Sequence, residues 1–247
     1  MTTKKNINRK SRIPDALEER LRQHPVLSQF RQINWKHLVA HSGLREILPA
    51  AAICREGQPA QHGWLIVKGE VKLVRHTTKG QVLLVDILLP GELFGVVFYR
   101  DQPVQPATAV AVKATRLLAF PLSILLDELD GNPTLQTALL QDTCLKLCQS
   151  VAMRGLALEE LPVRVATILC RLHEKFGRII PETRATLAEL AGTTTESAIR
   201  ATRELEEQGV LRLGRGVIEV LSLHQLHARS ALVVSHVHSG VMTHGQE

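Results

Sequence analysis

The chain has 247 residues, of which 45% are hydrophobic and 22% charged, enough for one large or two ordinary domains and too apolar for global disorder. Its net charge of +6 and pI of about 9.4 favour an anionic partner such as nucleic acid. The longest apolar run, Leu117–Leu126, is about half a membrane span, and the basic start MTTKKNINRKSR leads into no apolar signal core; a membrane or secreted protein is excluded on this reading, and the cytoplasm is the expected compartment.

Only 3% of the residues are aromatic. Single-strand binders stack bases on aromatic platforms, so duplex DNA is the better match to the charge. Lys4, Lys5, Arg9, Lys10 and Arg12 concentrate basic charge at the start and read as a solvated tail. The four cysteines, Cys54, Cys144, Cys148 and Cys170, form no CxxC pair and have no zinc-finger spacing to histidine. They read as small buried hydrophobes, with no disulfides expected.

Residues 14–48 read as short helices, Pro14–Gln23, Ser28–Gln32 and Trp35–Ser42. From Leu48 to Phe120 the pattern is β. Gly57, Gly69, Gly80 and Gly91 punctuate it at spacings of 12, 11 and 11, around the runs Gly63–Val67, Glu70–Arg75, Gln81–Leu88 and Thr108–Ala114. Strands at such even spacing predict an antiparallel sandwich or roll.

The helical period returns near Pro121. After a short helix, Pro133 opens a long one along which Leu140, Cys144, Leu147, Val151 and Leu158 recur at spacings of four, three, four and seven. That is a coiled-coil seam, interrupted at Arg154, and it predicts a parallel homodimer; packing against the helix's own domain is the alternative. Cys144 and Cys148 share one helix face, so a two-fold axis would bring four thiols together; plain seam packing and redox sensing are the two readings of them. Glu159-Glu160-Leu161-Pro162 ends this helix, and another follows, Val163–Phe176, stopped by Gly177.

Thr186–Gly192 is a short amphipathic helix ended by glycine. Thr193-Thr194-Thr195-Glu196 supplies an N-cap and an acidic first turn for a second helix, Glu196–Gln208, capped by Gly209. Strands Val210–Leu213 and Val217–Leu221 flank Gly214-Arg215-Gly216. Helix, tight turn, helix and hairpin make a winged helix-turn-helix. Its second helix would enter a major groove by its N-terminal end. Arg200 can pair with guanine, Glu196 can accept from cytosine or orient Arg200, and Thr195 stands beside them. An ordinary surface ion pair is the plain reading of Glu196 and Arg200. Thr194, Ser197, Arg203 and Arg215 are assigned to phosphate.

The segments Arg55-Glu56-Gly57-Gln58-Pro59-Ala60, Lys68-Gly69-Glu70-Val71-Lys72-Leu73, Pro90-Gly91-Glu92-Leu93-Phe94-Gly95 and Ala191-Gly192-Thr193-Thr194-Thr195-Glu196-Ser197 resemble the CRP/FNR superfamily of bacterial transcription regulators over about residues 27–226. The resemblance implies an α+β fold: a basic tail and short helix over 1–26, a sensory β-roll of the cyclic-nucleotide-binding type over 27–128, a dimerisation helix over 129–160, a winged helix over 161–226, and a C-terminal tail over 227–247. It implies a homodimer on palindromic double-stranded DNA, contact with RNA polymerase, and no catalysis. The effector region would be Gly91, Glu92, Leu93, Phe94, Gly95, Val96, Pro106 and Ala107.

The sequence departs from the family in that region. Members that bind cyclic AMP carry a Glu after the second glycine and an Arg-Ser pair about ten residues on; here Val96 and Pro106-Ala107 stand there. A buried phosphate needs a cation or a fan of N–H groups, and Pro106 offers neither. Cyclic AMP is therefore not the expected effector, and the chain resembles the nucleotide-independent branches. An iron–sulfur cluster of the family's type needs N-terminal cysteines, and none precedes Cys54. Heme would need an axial ligand beside an apolar cavity; His62 and His76 lie in the roll, and neither is assigned. His236, His238 and His244 read as tail. At Thr195 and Ile199 the family commonly has Arg and a small residue, so the base preference near Thr195 is expected to differ.

Two other classes compete. A cupin-like metal enzyme would need clustered histidines and a carboxylate on adjacent strands, where only His62 and His76 occur. A regulatory cyclic-nucleotide module would lack the winged helix.

Overall fold

The computed structural model describes residues 13–76, 82–97 and 103–231. The N-terminal basic residues, Gly80 and His236, His238 and His244 lie outside them. The chain divides into two compact units, one ending at Gln149 and the other starting at Ser150.

The first unit opens with α1 (Asp15–Arg22), whose Asp15 and Glu18 sit in the first turn, where acidic groups favour the helix dipole. Glu18 accepts a hydrogen bond from Trp35 Nε1 at 2.8 Å, tying α1 to α2 (Gln32–His41). Between them Leu27–Gln29 form one 3-10 turn. The helix expected over Ser28–Gln32 is therefore only a turn, because Phe30 and Arg31 are extended and break it.

Eight strands follow: β1 (Gly43–Ile47), β2 (Ala52–Cys54), β3 (His62–Lys68), β4 (Val71–His76), β5 (Val82–Leu88), β6 (Leu93–Phe94), β7 (Thr108–Ala111) and β8 (Thr115–Pro121). They form two four-stranded sheets, β1-β8-β3-β6 and β2-β7-β4-β5, with antiparallel pairing in both. Cys54, Val71, Leu88 and Ala109 of one sheet meet Ile66, Phe94 and Leu117 of the other in a shared core. The opposite face of the first sheet carries Leu65, Leu93, Leu118 and Phe120 into a layer with Leu21, Leu27, Trp35 and Leu38.

The strand expected over Thr108–Ala114 ends at Ala111 as β7; a bend over 112–114 then leads into β8, which was not expected. Thr115 Oγ1 donates to the Lys113 carbonyl at 2.7 Å, and Lys113 Nζ reaches buried Glu70 at 2.9 Å, which shapes that bend. The β region also begins earlier than Leu48, at Gly43. Strand β8 gave no alternation to read because it is buried on both faces.

Helix α3 (Leu122–Leu129) follows Pro121 directly. Its Glu128 side chain is 0% exposed and accepts from Arg31 N at 2.9 Å, Arg31 Nε at 3.0 Å, Asn34 Nδ2 and Asn132 Nδ2. Burial alone would push this carboxyl up, but the four donors outweigh it and hold it below its ordinary range. Asn132 Oδ1 in turn accepts from Leu135 N at 3.2 Å, at the start of α4 (Pro133–Gly155).

Leu135 and Leu139 bury one side of α4 in the helix layer. Leu140, Cys144, Leu147 and Val151 lie on another side and are exposed. Gly155 ends the helix and Leu156–Leu158 form a 3-10 turn, so Leu158 stands past the helix rather than on its seam. The long helix thus stops before Glu159; glycine's poor helix propensity fits that end point.

In the second unit α5 (Leu161–Phe176) starts two residues earlier than expected. Pro162 sits in its first turn, where its missing N–H costs nothing, and Gly177 ends the helix at φ 77°. Then come β9 (Ile179–Ile180), α6 (Arg184–Ala191), α7 (Thr195–Glu207), β10 (Leu211–Gly214), β11 (Val217–Val220) and α8 (Leu223–His227), with the sheet order β10-β11-β9. Helix α8 had not been expected. Beyond it, Arg229 Nε donates to Gln208 Oε1 at 3.0 Å and Ala231 N to Thr167 Oγ1 at 2.9 Å, so the stretch read as a tail from residue 227 is tied to the bundle as far as Ala231.

Candidate nucleic-acid interface and effector segment

Thr183 caps α6, its Oγ1 accepting from Thr186 N at 3.1 Å. Gly192 ends α6 in the left-handed region, φ 60° and ψ 46°, and Thr193 N returns to the Ala188 carbonyl at 3.0 Å. A side chain here would meet no neighbour, so the glycine answers to backbone conformation alone. Thr194 caps α7: its Oγ1 accepts from Ser197 N at 3.2 Å and donates to Ser197 Oγ at 3.1 Å. The Thr194 hydroxyl is thus spent on the cap.

The inner face of α7 buries Ala198, Ala201, Thr202 and Leu205. Thr202 Oγ1 satisfies itself on the Ala198 carbonyl at 2.8 Å, and α7 packs against α6 and α5. Its outer face presents Thr195, Glu196, Arg200 and Arg203, all exposed. The side chains of Glu196, Arg200, Arg203 and Arg215 have no hydrogen-bond or ion-pair partner among the described residues. Glu196 and Arg200 therefore share a face without forming the surface ion pair their spacing allows.

The wing is pinned to this helix by Glu206, whose Oε1 accepts from Leu213 N at 2.7 Å. Gly214 pairs with Val217, so the hairpin turn is Arg215-Gly216, with Gly216 at φ 71° and Arg215 exposed at the tip. Arg184 Nη1 donates to the Gly214 carbonyl at 3.3 Å, linking the start of α6 to the wing. Glu219 lies between Arg178 at 3.0 Å and Arg212 at 2.9 Å, leaving excess positive charge on the wing sheet. The sequence reading missed Arg178, Arg184 and Arg212. Only the register of β9 and β10 on β11 brings Arg178 and Arg212 to one carboxylate.

In the first unit the segment expected to hold the effector is closely tied. Gly91 turns at φ 94°, its N–H donating to the Ile66 carbonyl at 2.8 Å. Glu92 folds back so that its Oε2 accepts from Leu89 N at 2.7 Å. Leu93 and Phe94 are buried and pair with Leu65 and Trp64. Trp64 stacks on Phe94 with centroids 5.3 Å apart, and a Cβ on Gly95, at φ 72°, would come within 2.2 Å of the Trp64 ring. Buried Gln105 donates from Nε2 to the Gly95 carbonyl at 3.4 Å. Val96 is half-buried, Pro106 exposed and Ala107 buried; none carries charge.

Two groups reach this segment from outside the sheets, one from the bend after α1 and one from α4. His24 Nε2 bonds the Gly91 carbonyl at 3.0 Å while Nδ1 accepts from Val26 N and Leu27 N at 3.1 and 3.2 Å. Lys146 Nζ of α4 donates to the Leu93 carbonyl at 3.1 Å and pairs with Asp142 at 2.7 Å.

His62 is half-buried near Trp64, its pKa lowered by burial and by Arg45; His76 is exposed at the end of β4. No group of three or more His, Cys, Asp or Glu among the described residues could hold a metal ion. Among them, no helix is long and apolar enough to cross a membrane. Cys54 and Cys170 are buried, and burial pushes the Cys170 thiol up to about 11. Cys144 and Cys148 are exposed on the single chain, unlike the other two.

Residues 44–132 match the cyclic nucleotide-binding domain family, and residues 163–229 the Crp-like helix-turn-helix domain. The Cyclic AMP receptor protein of Thermus thermophilus is 34% identical over 167 residues, covering 67% of this chain and 77% of that protein. The Global nitrogen regulator of Synechococcus elongatus is 24% identical, covering 81% and 94%. In fold, the chain is similar to FixK2 from Bradyrhizobium japonicum, with a TM-score of 0.70 at 22% identity, covering 77% of this chain and 98% of that one.

Proposed function

The chain belongs to the CRP/FNR family of DNA-binding transcription regulators, and from that premise we propose a cytoplasmic homodimer that reads a palindromic duplex site under control of an effector other than cyclic AMP. The observation that carries this reading is the exposed face of α7. Glu196, Arg200 and Arg203 stand there unpaired, on a helix whose start is fixed by Thr194 and whose inner face is buried. Free cationic and acceptor groups on a rigidly held helix are what base-edge readout requires.

In this reading Arg200 takes a guanine edge and Glu196 a cytosine amino group, with Thr195 beside them. Ser197, Arg203 and Arg215 contact phosphate, and Thr194 supports them by holding the helix start. Leu140, Cys144, Leu147 and Val151 cover one another across a two-fold axis, as their heptad spacing and exposure require of an apolar seam. Two recognition helices then meet half-sites about 34 Å apart. Contact with RNA polymerase is carried over from the family resemblance.

The T. thermophilus relative is named for cyclic AMP. At the positions that would hold a cyclic phosphate this chain has Val96, Pro106 and Ala107, without cation or carboxylate, and Gln105 bonds Gly95 across the segment. These features support an effector of different chemistry. The test is a binding-site selection on wild type, Arg200→Ala and Arg215→Ala. Arg200→Ala should lose preference at one base pair per half-site; an unchanged motif would remove Arg200 as a base reader.

A further inference from the structure

We propose that Cys144 is a redox lock, forming a disulfide with the same residue of a second copy; this rests on the homodimer reading above. Cys144 lies on α4 between Leu140 and Leu147, whose side is turned away from the Leu135 and Leu139 side buried in the first unit. Its neighbours at seam spacing, Leu140, Leu147 and Val151, are 63%, 60% and 57% exposed, so this face lacks a cover within the described chain. With Leu140 and Leu147 at d and Val151 at a, Cys144 takes an a position and Cys148 the e position beside it.

Geometry separates the two thiols. Helix axes pack about 8–10 Å apart and Cα atoms lie about 2.3 Å from each axis. In a parallel pair this puts a-position Cα atoms roughly 6 Å apart across the axis and e-position ones roughly 9 Å apart. A disulfide spans about 4.4–6.8 Å between Cα atoms, so Cys144 can bridge and Cys148 cannot. The other cysteines, Cys54 and Cys170, are buried inside their own units and cannot compete.

The oxidant is a peroxide. One Cys144 thiolate attacks a peroxide oxygen; the O–O bond breaks, the sulfur becomes a sulfenic acid, and one water leaves after proton transfer. The thiolate of the second Cys144 attacks that sulfur, the S–O bond breaks, and a second water leaves as the S–S bond forms. Two thiols and one hydrogen peroxide thus yield one disulfide and two waters. Thiol reductants reverse the step by exchange. The link makes the dimer independent of protein concentration, so that DNA binding persists at dilutions where the reduced dimer separates.

The test treats the full chain with hydrogen peroxide, runs non-reducing gels, and follows sedimentation of reduced protein in parallel. Wild type and Cys148→Ser should give a species of about twice 27.4 kDa that dithiothreitol collapses, and Cys144→Ser should give none. Oxidised wild type should also stay dimeric on dilution. If the reduced protein sediments as a dimer but oxidation leaves monomer bands, or the link survives in Cys144→Ser, the lock is wrong while the dimer stands. If the reduced protein is a monomer, the homodimer reading fails and the lock with it.

Discussion

Lys146 on α4 donates to the backbone carbonyl of Leu93 at 3.1 Å while Asp142, one turn earlier, holds the same amine at 2.7 Å. The helix that carries the proposed dimer seam is therefore bonded directly to the short strand at the proposed effector segment. Any shift of β6 must break that bond or move Lys146, so the pair is a physical route between the two.

Lys146→Met should sever this route and leave the seam intact, since Lys146 lies off it. The amine is half exposed, so the stability cost should be small, about 1 kcal/mol in urea denaturation. Sedimentation should show unchanged assembly. A loss of dimers would place Lys146 on the interface instead.

Glu128 should be an acid-sensitive point of the first unit. Its pKa is lower in the fold than in the unfolded chain, so the unfolded state binds more protons as the pH falls. Its stabilisation is present above the unfolded value near 4.3 and is lost as pH drops through the folded value. Glu128→Gln should cost about 3 kcal/mol at neutral pH, because Arg31 and two amides lose a buried anion. It should also flatten the acid limb of a stability-against-pH curve.

His24 should act in a higher window. Burial lowers its pKa, outweighing the Gly91 bond and Asp142, which raise it; Lys146 lowers it further. A protonated Nδ1 would face two N–H donors, from Val26 and Leu27. The unfolded chain takes up the proton first, so stability should fall as pH drops below about 6.5. Thermal unfolding of wild type and His24→Asn between neutral and mildly acidic pH checks this; the variant should lack that slope.

Leu147→Asp should give monomers in sedimentation. It places a charge in the middle of the seam, which costs several kcal/mol when buried unpaired. Wild type that sediments as a monomer at micromolar concentration would overturn the assignment.

On DNA, Arg203→Ala and Arg215→Ala should weaken binding to every sequence alike and reduce the salt slope by about 1 per lost phosphate contact. Calorimetry with cyclic AMP should give no saturable heat at micromolar concentrations. Saturable binding there would mean that backbone N–H groups replace the missing cation.

The winged helix was legible in the linear chain because its signals are local. Gly192 must enter the left-handed region, Thr194 caps its own helix, and Arg215-Gly216 closes a two-residue turn; each acts on residues within a few positions. The spacing of Leu140, Cys144, Leu147 and Val151 was legible for the same reason, since a helix repeats its faces. Tertiary structure decided what depends on distant partners. Strand β8 is buried on both faces, so its apolar run carried no alternation. Glu128 is held by Arg31, 97 residues away, and Lys146 reaches Leu93, 53 residues away. No short-range pattern encodes those contacts, because they form only when sheet and helices enclose a common core. Exposure, too, was settled only there: Cys54 and Cys170 entered cores, and Cys144 and Cys148 stayed outside, although all four are the same residue type.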